Sequence, residues 1–392
     1  MPLPLEGMRI LDLTRLLPGP FCTLLLSDMG AQVIKVEDTQ GGDYVRWNPP
    51  ITDSGMSIHH HVLNRNKRSI AIDLKNKEGR ELLLELAGWA EVLVEQFRPG
   101  VMERLGLDFD TIREVNPAIV YCSITGYGQD GPYRDVAGHD ANYLGYAGVL
   151  GINGPKGGPP MICGVQIADL GAGGMFGALS ILAAYTYAKR TGEGQHVDVS
   201  MLDGSASWLT INTGDFLLGG PSPGRGEQML HGAAPFYSIY EAADGYMAVG
   251  AIEEKFWRRT CELLGVPEYA DRQFSIEMYD EIFDRMRETF KSRTRAEWME
   301  VFGGEDTCVS PVLTLEEAAA DPQMVHRRML PMVEDPKLGT VRTIGAPVKF
   351  SLGEWSIERS APSLGEHTDE ILLMLGCSPD DIERLRADGV IC

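Results

Sequence analysis

In the stretch VQIADLGAGGMFGAL, Val165 to Leu179, one acid, Asp169, stands before Gly171, Gly173, Gly174 and Gly177. The pattern reads as a short strand-like apolar run followed by a glycine-softened helix start. A helix start presents unpaired backbone N–H groups and the positive end of the macrodipole, so an acid there has several uses. The commonest is an N-cap. A second is a base or nucleophile beside an oxyanion held by those amides. A third is a dinucleotide loop, since Gly171, Gly173 and Gly177 spell G-x-G-x-x-x-G. The third is weak. The glycines lie in mid-chain, and Arg190 and Thr191 stand where a ribose-binding acid would be needed. Close packing of a helix start on a sheet accounts for the glycines under any of these readings.

Two further residues are chemically eligible. His139 lies in AGHDANY, Ala137 to Tyr143, inside a Gly/Pro/Asp-rich loop after the strand-like run IVYCSI. A lone histidine is more often structural, but α/β sheets place ligands at the carboxyl ends of their strands. Glu253 lies in VGAIEEKFW, where an acid in the first helical turn is explained by the dipole and is also able to orient an imidazole. The run HHH at 59–61 is expected to be a polar loop, because three adjacent imidazoles on regular backbone cannot all face one ion. No metal site is expected. GxSxG and P-loop motifs are absent. For anions, Arg65, Lys67, Arg68, Lys75 and Lys77 crowd the segment NRNKRSIAIDLKNKEG, and Arg98 and Arg104 follow in EQFRPGVMERLG. Charge runs are usually solvated faces. Here the chain carries a net charge of −21, so a local basic excess points to a phosphate-bearing ligand.

These residues need elements to hold them. RILDL, a helix starting at PGP (18–20) and MGAQVIKVE read as strand, helix, strand. KNKEGRELLLELAGWAEVLVEQF and TIREVNPAIVYCSITGYG repeat the scheme, so a parallel, helix-covered sheet is expected. MFGALSILAAYTYAKR is a long apolar helix. LLGGPSPGRGEQML (217–230) lacks periodicity and reads as a linker. FYSIYEAADGYMAVGA has the form of a hairpin, with helical stretches after it. The resulting organisation is a large domain over 1–200, a linker at 201–229, a small α+β domain at 230–325, and a linker with a return to the large domain over 326–392. The 392 residues are 44% hydrophobic, which is ordinary globular composition. No apolar run of about 18 residues predicts a membrane span, and the N-terminus does not read as a secretory signal. Seven scattered cysteines without a CxxC pair imply a reducing cytoplasm. So acidic a surface disfavours nucleic acid and anionic membranes.

Taken in order, LEGMRILDLTRLLPGPFCTLLLSDMGAQVIKVE, NRNKRSIAIDLK, VLVEQFRPGVMERLGL, NPAIVYCSITGYGQDGPY, RTGEGQHVDVSMLDG and LGEHTDEIL resemble the family III CoA-transferases, a superfamily that includes the α-methylacyl-CoA racemases. The resemblance implies an α/β fold, with a Rossmann-like large domain formed by both chain ends and a smaller α+β domain. It also implies an interlocked homodimer and coenzyme A, bound as an acyl thioester, as ligand. By motif, Asp169 matches the family's catalytic aspartate, and Ile72, Lys75, Gln96, Phe97, Arg98, Arg104 and Asp140 fall on CoA-contacting segments. Asp38 departs from the pattern, since many members carry an arginine after the strand that reads VIKVE here.

The superfamily implies two chemistries. In the transferases the aspartate attacks the acyl-CoA carbonyl, giving a mixed anhydride and then an aspartyl-CoA thioester. In the racemases an aspartate and a histidine exchange the α-proton through an enolate, with a glutamate pairing the histidine. His139, Asp169 and Glu253 each match the racemase motif, whereas GVQIADLGAG reads more like the transferase version. The expectation is a racemase of 2-methylacyl-CoA thioesters, the alternative a CoA-transferase acting through Asp169. A catalytically silent CoA-binding subunit is a third possibility, against which the presence of Asp169 argues. The acyl group is not legible.

Overall fold

The computed structural model describes residues 2–53 and 55–392. By internal contacts the chain forms two compact units. The larger holds residues 1–147, 164–208 and 323–392; the smaller holds 148–163 and 209–322.

The larger unit is built on a six-stranded parallel sheet. Its strands are β1 (Arg9–Asp12), β2 (Gln32–Glu37), β3 (Arg68–Ala71), β4 (Val92–Glu95), β5 (Val120–Thr125) and β6 (Gln195–Ser200), in the order β3-β2-β1-β4-β5-β6. Strands buried on both faces read as continuous apolar runs, and β4 and β5 are buried along their full length. Helices follow the strands. Helix α1 (Pro18–Asp28) has proline in its first turn, where no amide partner is needed. The helix Lys77–Trp89 is capped by the Asn76 side chain, which accepts from the Glu78 amide. The C-terminal segment closes the same core: Ile371, Leu372, Ile382, Leu385 and Ile391 pack with Leu11, Ile34 and Ile70. The large unit is therefore Rossmann-like and formed by both chain ends.

Beneath the sheet's carboxyl edge lies a fully buried ionic network. Asp12, at the end of β1, accepts from the Thr14 amide (2.9 Å), the Thr23 hydroxyl (2.6 Å) and the Lys67 ammonium (3.0 Å). Lys67 also donates to the Pro20 carbonyl, the Thr23 hydroxyl and the Asn64 side chain. Beside it, the Lys35 ammonium lies 3.0 Å from the Asp43 carboxylate, both side chains being wholly enclosed. Burial alone would raise the Asp12 carboxyl, but Lys67 and then Lys35, with the two threonine hydroxyls, hold it well below the usual range. For Lys67 burial outweighs Asp12 and lowers its pKa to about 8.

Several sequence expectations are corrected. The histidine run is not a loop: His59, His60 and His61 lie in the helix Ile58–Asn64, capped by Ser57, with His60 and His61 buried. His60 Nε2 lies 3.0 Å from the Pro362 carbonyl oxygen. The stretch 201–229 begins as a helix, Met201–Ser207, whose start Ser200 caps by accepting from the Asp203 amide. Within the expected return linker, Met332–Asp335 and Gly339–Arg342 form an antiparallel pair. The continuous helical segment Ile167–Thr191, with mean hydropathy 1.6, has the length and apolarity of a membrane span. Its buried positions Ala178, Ile181, Ala184 and Ala188 recur at helical spacing and pack on β5 and β6.

The smaller unit carries a three-stranded antiparallel sheet of β7 (Tyr237–Ala242), β8 (Gly245–Gly250) and β9 (Val309–Pro311). The hairpin β7–β8 turns at Ala243 and Asp244, as the ADG signal predicts; β9 has no comparable signal in the sequence. Trp257, Phe290 and Trp298 fill its core.

Replacing one member of a buried ion pair strands the other. Lys67→Met is expected to lower folding stability by about 3–5 kcal/mol, read as a fall in the urea midpoint at pH 7. A loss below about 1 kcal/mol, the range of exposed pairs, would mean that the network is not sealed from water.

Candidate active site

The strand order reverses direction between β1 and β4, so the loops after these strands diverge and leave a crevice at the carboxyl edge of the sheet. Three loops and one helix meet there. The turn Leu13–Leu17 follows β1, the loop Gln96–Gly100 follows β4, and a longer loop from Gly126 follows β5 and ends at His139. The helix carries Asp169.

Asp169 does not follow a strand and is not an N-cap. It lies in the first turn of a π-helical segment, Ile167–Met175, that runs into the α-helix Phe176–Thr191. Wide helical turns of this kind recur at functional sites. The glycines explain how the segment seats. A Cβ at Gly173 would stand 2.8 Å from the Pro18 Cβ, one at Gly174 2.7 Å from the Phe21 ring, and one at Gly177 3.0 Å from Ile124. Only glycine lets this helix start lie so close to α1 and β5.

The Asp169 carboxyl is half-buried. Burial, and then the charge of Asp140, push its pKa up to about 7. Asp140 is itself 9% exposed. Its Oδ1 accepts from the Ala168 amide (2.8 Å) and the Asp169 amide (3.1 Å). Its Oδ1 is thus engaged by backbone amides next to the acid. His139 precedes it at the N-cap position of the helix Asp140–Tyr146 and is exposed; its amide donates to the Asn142 side chain (3.0 Å). Asp140 therefore fastens the imidazole-bearing turn to the Asp169 segment.

Tyr143 completes this corner and was not singled out from sequence. Its hydroxyl donates to the Gly138 carbonyl at 2.5 Å. Its ring is admitted because Gly126 and Gly138 lack Cβ atoms, which would lie 2.5 and 2.7 Å from it. Burial, and then the nearby Asp169 charge, raise its phenol. Tyr143 is part of the quoted motif GHDANY, but nothing there marks it as a neighbour of the acid.

The other expected ligand contacts divide. The Gln96 side-chain oxygen accepts from the Gly19 amide at 3.0 Å, tying the β4 loop to the start of α1. The Phe97 amide donates to the carboxylate of Glu95 (2.8 Å). Glu95, also missed from sequence, is buried at the end of β4; desolvation raises its pKa to about 7. Arg98, Arg104 and Lys75 are exposed and, among the described residues, form no ion pair, so their charges are available to an anion. Below the β4 loop a cleft of about 530 Å³ is lined in part by Glu95, Arg98, Tyr121, Arg134 and His196. Ile72 is different: its side chain is 1% exposed in the core and its amide donates to the Glu37 carbonyl. Asp38 accepts from the Gln40 amide in its own turn. Glu253 belongs to the smaller unit, exposed at the N-cap position of the helix Glu254–Leu264.

The basic segment 64–79 is not a cluster of free cations. Arg65 is buried on Asp28, with Nη2 2.6 Å from the carboxylate, and Lys67 is the hub of the network under the sheet edge. Arg68 pairs with Glu370 and Lys77 with Glu81. Of the five, Lys75 alone lacks an ion-pair partner among the described residues. No group of three or more His, Cys, Asp or Glu side chains among the described residues is arranged to hold a metal ion.

The family model for CoA-transferase family III matches residues 5–368. A human succinyl-CoA:glutarate CoA-transferase is 35% identical over 376 residues, covering 94% of this chain and 85% of that protein. A mouse alpha-methylacyl-CoA racemase is 36% identical over 389 residues, covering 99% of this chain and 97% of that protein. The crystal structure of a CAIB/BAIF family protein from Brucella suis superposes with a TM-score of 0.84 at 31% identity, covering 96% of this chain and 100% of that one. A Rossmann-like sheet with the half-buried Asp169 at its carboxyl edge thus joins a match over residues 5–368, and the chain belongs to CoA-transferase family III.

Proposed function

We propose that this protein racemises 2-methylacyl-CoA thioesters by exchanging the α-proton between Asp169 and His139. The observation that carries the reading is the pair of hydrogen bonds from the Ala168 and Asp169 amides to Asp140. They join the turn bearing an exposed imidazole to a half-buried acid whose pKa stands at about 7. A general base works best when its pKa lies near the working pH, and an acid held there serves equally as donor on the return step. Thioesters acidify the α-carbon, so a carboxylate and an imidazole on opposite faces suffice to pass through an enolate. The thioester oxygen would lie at the start of the helix that Asp169 opens, where backbone amides and the dipole favour developing negative charge. The CoA phosphates would take Lys75, Arg98 and Arg104. The role of Glu253 rests on the resemblance alone.

A cytoplasmic location and a homodimer belong to the same proposal. All seven cysteines are free thiols. Met175, Leu179 and Trp208, on or beside the helix that follows Asp169, are 52%, 61% and 49% exposed, an apolar surface suited to a second chain.

One observation favours a second reading, acyl-CoA:carboxylate CoA transfer with Asp169 as nucleophile. The human relative is named for such a reaction, and its identity to this chain equals that of the racemase to within a percentage point.

Incubation of (R)- and (S)-2-methylacyl-CoA in deuterated buffer should give α-deuterium in both enantiomers. His139→Asn and Asp169→Asn should each slow racemisation by about 10² to 10⁴-fold. CoA transfer to a free acid without α-deuterium would select the transferase.

Asp140→Asn should move the acid limb of the rate profile to lower pH. Removing a neighbouring negative charge favours the ionised form of Asp169, so its pKa falls below about 7. A limb that stays in place would separate Asp140 from the titration.

A further inference from the structure

The crevice holds a cation that neither the sequence motifs nor the reaction above employs. Arg15 lies on the turn after β1, half-buried, on one side of the β1/β4 switch point. Its guanidinium carbon is 5.4 Å from the centre of the Tyr44 ring and 5.2 Å from that of Phe97, the latter on the opposite loop of the same switch point. An Nη1 donates to the Tyr44 hydroxyl at 3.4 Å. Among the described residues Arg15 makes no ion pair, although the chain carries 56 acidic residues against 35 lysines and arginines. Aromatic rings hold a guanidinium without neutralising it. The charge and the fork of donors stay available to a carboxylate or a phosphate.

The turn is also clamped in a costly conformation. Leu16, the next residue, has φ of +60°, a left-handed backbone that a leucine rarely adopts. Two buried groups impose it. The Asp43 carboxylate accepts from the Leu16 amide at 2.9 Å, and the Lys35 ammonium donates to the Thr14 carbonyl at 2.8 Å. Asp43 and Lys35 are the enclosed ion pair described above. Asp43 also precedes Tyr44, so one buried pair fixes both the bend at Arg15 and the ring beside it. Backbone strain that the surroundings impose at the mouth of a crevice is a mark of a binding position.

We propose that Arg15 is a substrate-binding residue that receives an oxyanion of the bound thioester. Two sources share this chemistry: a carboxylate carried by the acyl group, or a phosphate of CoA. The inference rests on the reading of the crevice as the thioester site, but not on which reaction Asp169 performs.

Isothermal titration with CoA, butyryl-CoA and succinyl-CoA tests it, using the wild-type chain, Arg15→Gln and Arg15→Lys. The wild-type affinity for CoA checks the crevice reading separately. Loss of charge-assisted hydrogen bonds should weaken binding by about 10- to 100-fold in Arg15→Gln. A loss confined to succinyl-CoA assigns the acyl carboxylate. An equal loss for all three, with the melting temperature of the free protein unchanged and binding partly restored in Arg15→Lys, assigns a CoA phosphate. Affinities unchanged for all three would overturn the proposal. So would an equal loss that comes with a lowered melting temperature and no rescue by lysine, since Arg15 would then be a packing residue of the turn.

Discussion

The larger unit depends on a salt-bridged knot that water cannot reach. Asp12 and Lys67 tie the end of β1 to the first turns of α1 and to the residues leading into β3. Lys35 and Asp43 do the same for the turn at Thr14 and Leu16. Charges without water must satisfy one another with close geometry, so a buried network of this kind admits few alternative arrangements. It sits directly beneath the point where the sheet changes direction, which is where the loops must be held still for a ligand. Hydrophobic burial alone would fill this region, but it would not dictate the direction of each loop.

From that knot outward, each layer constrains the next. Helix α1 is fixed on β1; the glycines of the π-helical segment press it against α1; and Gln96 ties the β4 loop to the amide of Gly19. Asp140 then links the turn after β5 to the segment that carries Asp169. The same carboxylate has two consequences. It fixes geometry through its hydrogen bonds, and its charge, added to burial, holds the neighbouring acid near neutrality. A positioning group and a pKa-tuning group are here one side chain.

Much of this was legible in the sequence. Parallel strands buried on both faces announce themselves as apolar runs, and RILDL, EVLVE and IVYCSI become β1, β4 and β5. Asp169 stands out because it is the one acid before a glycine-softened helix. What was not legible depends on contacts distant in the chain. Arg65 and Lys67 looked like an anion site because their partners, Asp28 and Asp12, lie 37 and 55 positions away. The histidine run looked like a loop because its helix is stabilised by burial of His60 and His61, which local polarity cannot announce. Asp140 was visible as a residue of the motif, but its direction, inward to the Asp169 amides, follows only from packing. Arg15 gave no signal, since its rings come from separate loops.

The family contains enzymes named for two reactions, and the acid at 169 has a different duty in each. As a proton carrier it never bonds to carbon; as a nucleophile it must become an acyl carrier. Treatment of the enzyme with hydroxylamine during turnover of a 2-methylacyl-CoA, followed by mass spectrometry of the peptide containing Asp169, separates the two. The account predicts an unmodified carboxyl at Asp169 while racemisation continues. A hydroxamate at that position, formed only in the presence of the thioester, would contradict it.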